Sequence, residues 1–156
     1  MKKQIHCASG VVLLALLFGG SAQAASLSTT EAALLEAVND ARVVNGLQPL
    51  HVDDTLVRAA RAHTSAMLRK DVLIHGAFGS RLGSFGARGP CFGENLAWGT
   101  GARASARALV QSWLASPGHR ANLLRPGFRR IGIGARLGDF AGYPRATVVT
   151  ADFAGS

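Results

Sequence analysis

The sequence is poor in cysteine, with Cys7 and Cys91 as its only two among 156 residues. It is also poor in aromatic residues (6%) and in acidic ones, since nine Asp and Glu stand against 17 Lys and Arg. The apolar content of 48% excludes intrinsic disorder of the chain as a whole. The length indicates one compact domain, large enough to fold without a metal ion or a disulfide.

No apolar run reaches the roughly 18 residues that cross a bilayer. The N-terminal run Val11–Phe18 follows two lysines and precedes Ala22-Gln23-Ala24, a pattern typical of a secretory signal and its cleavage site. The alternative is an N-terminal membrane anchor. We therefore expect a secreted chain, extracellular or periplasmic, with no transmembrane segment once the signal is removed. The predicted organisation is a signal peptide over 1–24, a short lead over 25–30 and the folded domain over 31–154.

Cleavage after residue 24 removes Cys7 and leaves Cys91 alone, so the mature chain cannot form an intramolecular disulfide. The formal net charge of the whole chain is +8, carried mostly by arginine. Such a charge favours anionic surfaces or polymers without identifying one. The arginines at 120, 125, 129 and 130 suggest nucleic acid as an alternative partner, but a solvated basic face is favoured and no nucleic acid is expected.

The first predicted helix has clear signals at both ends. Ser28-Thr29-Thr30-Glu31 is a capping box, in which the hydroxyl and the carboxylate each bond the other residue's backbone N–H. An apolar stripe at helical spacing runs from Leu34 to Val44, and Gly46 stands where a left-handed C-terminal cap is required.

Two further helices follow from similar patterns. One is capped by Asp53 or Asp54 and runs to about Lys70, after a linker over 47–52. The other covers Ala104–Ala115, and Pro117 is expected to end it, because the residue before a proline avoids helical geometry.

Two strands are predicted near the C-terminus, Arg130–Leu137 and Ala146–Phe153, with a third near Asn95–Trp98. Gly132 and Gly134 are expected to mark close packing against the sheet rather than a nucleotide-binding loop. Helices early in the chain and strands late, with a helix between, indicate an α+β sandwich with a small antiparallel sheet.

The segment from Gly76 to Gly93 contains six glycines and shows neither a helical nor a strand period. It is predicted to be a long loop. Long ordered loops are often functional, although a permissive surface connection is an equal alternative.

Three residues near the ends of this loop and of the third helix are candidates for chemistry. His75 and Glu94 border the glycine segment, and His119 follows Pro117-Gly118. Glu94 has apolar neighbours, and a buried carboxylate there needs hydrogen bonds or a cation. Two imidazoles and a carboxylate can form a metal or acid–base site if the fold brings them together, and each can equally be structural. His63, on the apolar stripe of the second helix, is predicted to be a buried histidine bonded to a backbone carbonyl.

Several sequence blocks resemble the CAP superfamily, which groups cysteine-rich secretory proteins, antigen five and pathogenesis-related proteins. The resemblance covers about residues 31–154 and is to the bacterial, disulfide-free branch. The blocks that carry it are Leu56-x-x-Ala59-Ala60-x-x-His63, His75, Gly93-Glu94-Asn95-Leu96-Ala97, Trp113-Leu114-x-Ser116-Pro117-Gly118-His119-Arg120-x-Asn122, Phe128–Gly134 and Ala151-Asp152-Phe153-Ala154.

The resemblance implies a three-layer α-β-α sandwich. Its open cleft would hold two histidines and two acidic residues, which in several members bind a divalent metal such as zinc. The family positions fall on His75, Glu94 and His119. The fourth position, acidic in eukaryotic members, falls on Ala115 or Ser116, so one carboxylate is missing. The residues expected to support the cleft are Asn95, Ser116 and Arg120.

We expect a secreted binding module, because its cleft suits a divalent metal or a small ligand. Its partner is expected to be an envelope polymer, a protein or a small apolar ligand. One alternative is a zinc-dependent hydrolase with His75, Glu94 and His119 as ligands, which the missing carboxylate disfavours, so no catalytic residue is assigned. Another alternative is a lipid or sterol carrier, although the family's sterol-holding loop is not recognisable here.

The first prediction concerns processing. The mature product is expected to begin at Ala25, because cleavage follows the small residue Ala24. Intact-mass spectrometry of the exported protein measures this directly. A mature form that still contains Cys7 would contradict the signal peptide and support the membrane anchor.

Overall fold

The structure is a computed structural model that describes residues 26–155. The predicted signal peptide lies outside the described residues, so it stays a prediction. Helices and strands follow one another in an order typical of an α+β protein, with one 3₁₀ turn at Gly101–Ala104. The elements are α1 (Thr29–Val44), β1 (His51–Val52), α2 (Asp54–Lys70), α3 (Phe78–Ser84), β2 (Phe92–Gly99), α4 (Ala106–Ala115), α5 (Pro117–Leu123), β3 (Phe128–Phe140) and β4 (Tyr143–Gly155).

The four strands form one sheet in the order β1-β3-β4-β2. The hairpin of β3 and β4 and the β4–β2 pair are antiparallel, which confirms the predicted fold class. One edge differs from the prediction, because β1 lies in the expected linker and pairs parallel to β3. The backbone N–H of Asp53 donates to the Ile131 carbonyl at 2.9 Å and holds this short edge in place.

Helices cover both faces of the sheet, as in a three-layer sandwich. On one face, α1, α4 and α5 pack against apolar side chains of β3 and β4 that include Ile131, Ile133 and Phe153. Trp113 of α4 is 1% exposed there, and its indole N–H donates to the Leu96 carbonyl at 2.9 Å. On the opposite face, α2 and α3 cover smaller apolar clusters.

The glycines of β3 let α2 lie directly on the sheet, as the sequence predicts. A Cβ atom on Gly132 would stand 2.0 Å from the Leu56 carbonyl carbon, and one on Gly134 would stand 2.5 Å from that of Ala60. The Thr64 hydroxyl bonds the Gly134 carbonyl at 3.0 Å at the same interface. A side chain at either of these two glycine positions would therefore push α2 away from the sheet.

The first helix begins as predicted but does not bury its whole apolar stripe. Ser28 and Glu31 form the capping box, and Gly46 adopts a φ of +73° after the helix ends. Glu31 is buried. Burial alone would raise the pKa of Glu31, but its hydrogen bonds with Arg61 and Ser28 hold that pKa below its ordinary value. Val44 is 86% exposed, so the predicted stripe is wrong at its C-terminal end.

Arg42 is the buried residue near the C-terminal end of α1, although its position lies outside the predicted apolar stripe. Its side chain is fully buried and contacts no carboxylate among residues 26–155. Its guanidinium donates to the carbonyls of Gln48, Leu123, Arg125 and Phe128 at 2.9–3.2 Å. Arg42 therefore ties the end of α1 to the end of α5 and to the first residue of β3.

Two further predictions are wrong in secondary structure. The glycine segment is not a loop throughout, because it contains α3, whose Leu82 is 1% exposed. Tertiary contacts here override the low helix propensity of glycine. The third helix ends before Pro117 as predicted, because α4 stops at Ala115. Pro117 then begins α5, since the first position of a helix needs no N–H. His119 thus lies inside a short helix and not on a loop.

Replacing Gly132 with alanine tests the close packing of α2 on β3. We expect a loss of about 2 kcal/mol or more in the free energy of unfolding, because backbone atoms of α2 occupy the space of the new methyl group. Gly127→Ala is the matched control, as a Cβ atom there meets no atom within 4 Å. Equal urea midpoints for the two variants would show that α2 is not seated on β3 as described.

Candidate functional site

The site centres on Glu94 of β2, which the fold places beside the segment that joins α2 to α3. Glu94 is 5% exposed. Its Oε1 accepts a hydrogen bond of 2.7 Å from Nδ1 of His75, whose side chain is 57% exposed. The structure therefore brings together two of the predicted site residues, one buried and one open to solvent. A carboxylate acceptor assigns the proton to Nδ1 and leaves Nε2 of His75 as the unprotonated nitrogen of the neutral ring.

A second buried carboxylate, Asp152, lies opposite Glu94 on β4. Arg81 of α3 donates to both, contacting Glu94 Oε2 through Nη2 and Asp152 Oδ2 through Nη1 at 2.8 Å. Nη1 also donates to the Ala59 carbonyl of α2 at 3.2 Å. One guanidinium thus joins two strands and two helices, and its positive charge offsets the repulsion between the two carboxylates.

Burial dominates the electrostatics of this carboxylate pair. It raises the pKa of Glu94 to about 7, although the charge of Arg81 and the hydrogen bond from His75 act in the opposite direction. Burial also raises the pKa of Asp152, again against the effect of Arg81. The cause is the cost of two desolvated negative charges beside a single hydrogen-bonded guanidinium. Glu94 and Asp152 together therefore retain a proton at a higher pH than exposed carboxylates do.

His63 borders the same cluster. Its Nε2 bonds the Ile74 carbonyl at 2.8 Å, which confirms the prediction of a histidine satisfied by the backbone. The same atom lies 3.7 Å from Glu94 Oε2, so the separation of His63 from the site in the sequence analysis is wrong. Burial and the charge of Arg81 lower the pKa of His63, which favours its neutral form.

His119 is held near the cluster through amide side chains. Asn95, fully buried, donates from Nδ2 to the His119 carbonyl at 2.9 Å. Asn122 donates to the Glu94 carbonyl and to the Asn95 side-chain oxygen, both at 3.1 Å. Burial and the charge of His75 lower the pKa of His119. The ring of His119 forms no hydrogen bond with another residue of the described chain.

Ser116 and Arg120, the other two predicted support residues, form no hydrogen bond with the Glu94 cluster in the described chain. Ser116 occupies the N-cap position of α5, where its side chain makes no capping bond. Arg120 is exposed and belongs to no ion pair in the part of the chain that the structure describes.

The side-chain atoms that are free to bind a metal ion can be identified from the hydrogen bonds of the cluster. Across residues 26–155, no three His, Cys, Asp or Glu side chains converge as a ligand set. Glu94 turns its oxygens to Arg81 and His75, so it does not serve as a third ligand beside His75 and His119. In the described part of this cluster, the ring nitrogens without a hydrogen-bond partner are Nε2 of His75 and those of His119.

Arg81 and Asp152 are the members of the cluster that the sequence analysis missed. Asp152 is the one acidic residue of β4, whose positions from Ala146 onward are buried, and Arg81 lies within the glycine segment. A single acidic residue among buried strand positions is the signal that a salt-bridge partner is needed.

Comparison with known proteins finds one family and several similar structures. The profile of the cysteine-rich secretory protein family, CAP, matches residues 35–153. Bacillus subtilis YkwD is 37% identical over 114 residues, which cover 70% of this chain and 43% of that protein. The chain thus spans less than half the length of the curated relatives it matches.

Two solved structures illustrate the likeness in fold. An extracellular protein of Bacillus anthracis that contains an SCP domain superposes with a TM-score of 0.69 at 26% identity, over 81% of this chain and 40% of that chain. An outer surface protein of Borrelia burgdorferi gives a TM-score of 0.61 at 22% identity, over 79% and 90% of the two chains.

The raised pKa of Glu94 predicts a pH-dependent stability. A raised pKa means that the folded chain binds this proton more tightly than the unfolded chain does. The stability that protonation of Glu94 contributes to the fold is complete below about pH 4.5, and it is lost as the pH rises through about 7. We expect the free energy of unfolding of wild type, relative to Glu94→Gln, to fall by roughly 2–3 kcal/mol between about pH 4 and about pH 8.

Urea unfolding at a series of pH values measures this difference. Glu36→Gln, which removes an exposed carboxylate of α1, is the control and should give a curve parallel to wild type. A Glu94→Gln curve that is also parallel to wild type would contradict the raised pKa.

Proposed function

This chain belongs to the CAP family of cysteine-rich secretory proteins, and on that premise we propose that it is a secreted binding module whose cleft holds a divalent metal ion such as zinc. Two structural neighbours, an extracellular protein and an outer surface protein, support the proposed location. Among residues 26–155, no helix combines the length and the hydropathy needed to cross a membrane.

The hydrogen bond between His75 and Glu94 is the observation that carries the proposal. Histidines that bind metals generally donate their second ring N–H to a carboxylate, which fixes the tautomer and the ring orientation. Glu94 occupies that position behind His75, and Arg81 holds Glu94 in turn. The exposed His75 ring therefore offers Nε2 as a lone-pair donor. Glu94 is an orienting residue in this proposal and not a ligand.

His119 is the second proposed ligand. Burial and the charge of His75 lower its pKa, so its imidazole is neutral at physiological pH, as metal binding requires. Two imidazoles leave the remaining coordination positions to water, so the expected binding is weak and exchangeable.

The positions of the carboxylates favour binding over hydrolysis. A metal-dependent hydrolase needs a base that reaches a water molecule beside the substrate. Asp152 is fully buried and directs both of its oxygens to Arg81, whereas Glu94 directs one oxygen to Arg81 and the other to His75. Neither carboxylate is placed to accept a proton at the open side of the cleft. The two-ligand set also falls short of the three protein ligands that catalytic zinc sites usually have.

The apolar-carrier alternative receives little support from the glycine segment. Leu82 is buried against α2 and β4, and Phe78, Phe85 and Phe92 are partly buried in the same cluster. These side chains stabilise α3 on the sheet. The segment therefore fits a structural role for α3 better than a lipid-holding loop.

Calorimetric titration with zinc tests the proposed site. We expect His75→Ala and His119→Ala each to weaken zinc binding at least about tenfold, because each removes one of two protein ligands. Affinity should fall as the pH is lowered, since protonated imidazole cannot bind metal. The metal-free melting temperature of both variants should stay close to that of wild type, because His75 is largely exposed and His119 is only half-buried.

His51→Ala is the matched control, since His51 is an exposed histidine on β1. Glu94→Gln should weaken zinc binding while keeping both ligands. If His75→Ala and His119→Ala bind zinc as tightly as His51→Ala does, these histidines are not the metal ligands and the proposal fails.

A further inference from the structure

Three consecutive aliphatic side chains lie open to solvent directly before His75. Val72, Leu73 and Ile74 are 46%, 40% and 54% exposed, in the segment that joins α2 to α3. Single exposed apolar residues are ordinary on a soluble protein, whereas a contiguous group marks a surface that contacts something else. None of the three belongs to an apolar cluster of the described core.

Cations lie beside this aliphatic group. Arg69 and Lys70 are exposed in the last turn of α2. Lys70 lines the same hollow as Val72 and Ile74, a cavity of about 180 Å³ with mostly apolar walls. Neither Arg69 nor Lys70 forms an ion pair with another described residue, so both charges are available to a partner.

The turn between β3 and β4 reaches the same end of the molecule. The carboxylate of Asp71 accepts a hydrogen bond from the Ala141 N–H and holds the turn against the end of α2. Tyr143, just beyond the turn, is 54% exposed and packs on Trp98 with ring centroids 5.6 Å apart. Arg145 is exposed two residues later and has no ion-pair partner among residues 26–155.

We propose that this end of the protein docks on an anionic lipid bilayer. We name it the 72–143 surface, and it consists of Val72, Leu73, Ile74 and Tyr143 with the cations Arg69, Lys70 and Arg145. The aliphatic side chains enter the boundary between headgroups and acyl chains. Tyrosine at that depth and flanking Lys and Arg beside lipid phosphates are the usual features of an interfacial contact.

Charge selects the lipid surface over a second copy of this chain. The surface carries three cations, and its nearby acids are Asp71, which bonds Ala141, and Asp139. Without Lys2 and Lys3, which the predicted cleavage removes, the chain is positive by 8 − 2 = 6 charges. A second copy would bring the same positive charges into contact, which is unfavourable. An anionic bilayer supplies the opposite charge and an apolar interior together.

The proposal does not depend on metal binding. No residue of the 72–143 surface is a proposed ligand, although Ile74 precedes His75 in the chain. Because His75 follows Ile74 directly, a docked protein would present His75 close to the lipid headgroups. Since no residue of the surface is a ligand, wild type is expected to bind vesicles equally with and without EDTA, which separates a failure of this proposal from a failure of the metal site.

Vesicle co-sedimentation of the mature chain tests the surface. We expect binding to vesicles that contain phosphatidylglycerol, at least about tenfold weaker binding to pure phosphatidylcholine, and loss of binding as salt rises. Leu73→Gln should weaken binding to the anionic vesicles roughly tenfold, because it removes an inserted aliphatic group. Lys70→Gln should weaken it roughly fivefold, the effect of one cation near a charged membrane.

Val44→Gln is the matched control, since Val44 is an aliphatic residue of α1 that is 86% exposed and lies outside the 72–143 surface. Three outcomes overturn the proposal. The first is no binding to anionic vesicles, and the second is equal binding by Leu73→Gln and Val44→Gln. The third is a concentration-dependent dimer in gel filtration that Leu73→Gln abolishes, which would assign the surface to a second copy.

Discussion

Two carboxylates that face each other on neighbouring strands, both almost inaccessible to water, repel each other strongly unless a cation lies between them. Arg81 is that cation, since it bonds both Glu94 and Asp152 and a carbonyl of α2. Removing it would leave two desolvated carboxylates without a hydrogen-bonded guanidinium. The orientation of His75 therefore depends on α3 being docked on the sheet, because Arg81 reaches the carboxylates only from that helix. The glycine segment acts as the support of the cleft rather than as its flexible rim.

Much of the fold is predictable because its signals are local. The capping box at Ser28, the helical periodicity of α2 and the alternation in β3 and β4 each depend on residues a few positions apart. Gly132 and Gly134 indicate close packing for the same reason. The helix α3 could not be predicted, since seven residues with two glycines form a helix only when Leu82 and Arg81 have partners elsewhere. The burial of Arg42 could not be predicted either, because three of its carbonyl partners lie more than 80 residues away in the sequence.

The candidate site likewise has residues that the sequence identifies and one that only the fold reveals. His75, Glu94 and His119 stand in recognisable motifs, so sequence alone selects them. Asp152 becomes part of the site only through the register of β2 and β4, which pairs it with Glu94 across 58 residues of chain. The missing acidic residue near Ser116 thus does not leave Glu94 as an isolated carboxylate. The second carboxylate arrives from another strand, and its complete burial gives it a supporting position instead of one that meets a ligand.

The strand order has a consequence for how the chain acquires its structure. β4 is the last strand in sequence, yet it lies inside the sheet, between β3 and β2. Until β4 is synthesised, β2 has no hydrogen-bonding neighbour in the sheet, and the helices on both faces have only part of the surface they cover. The growing polypeptide therefore cannot complete its core before ribosomal synthesis of the domain is nearly finished.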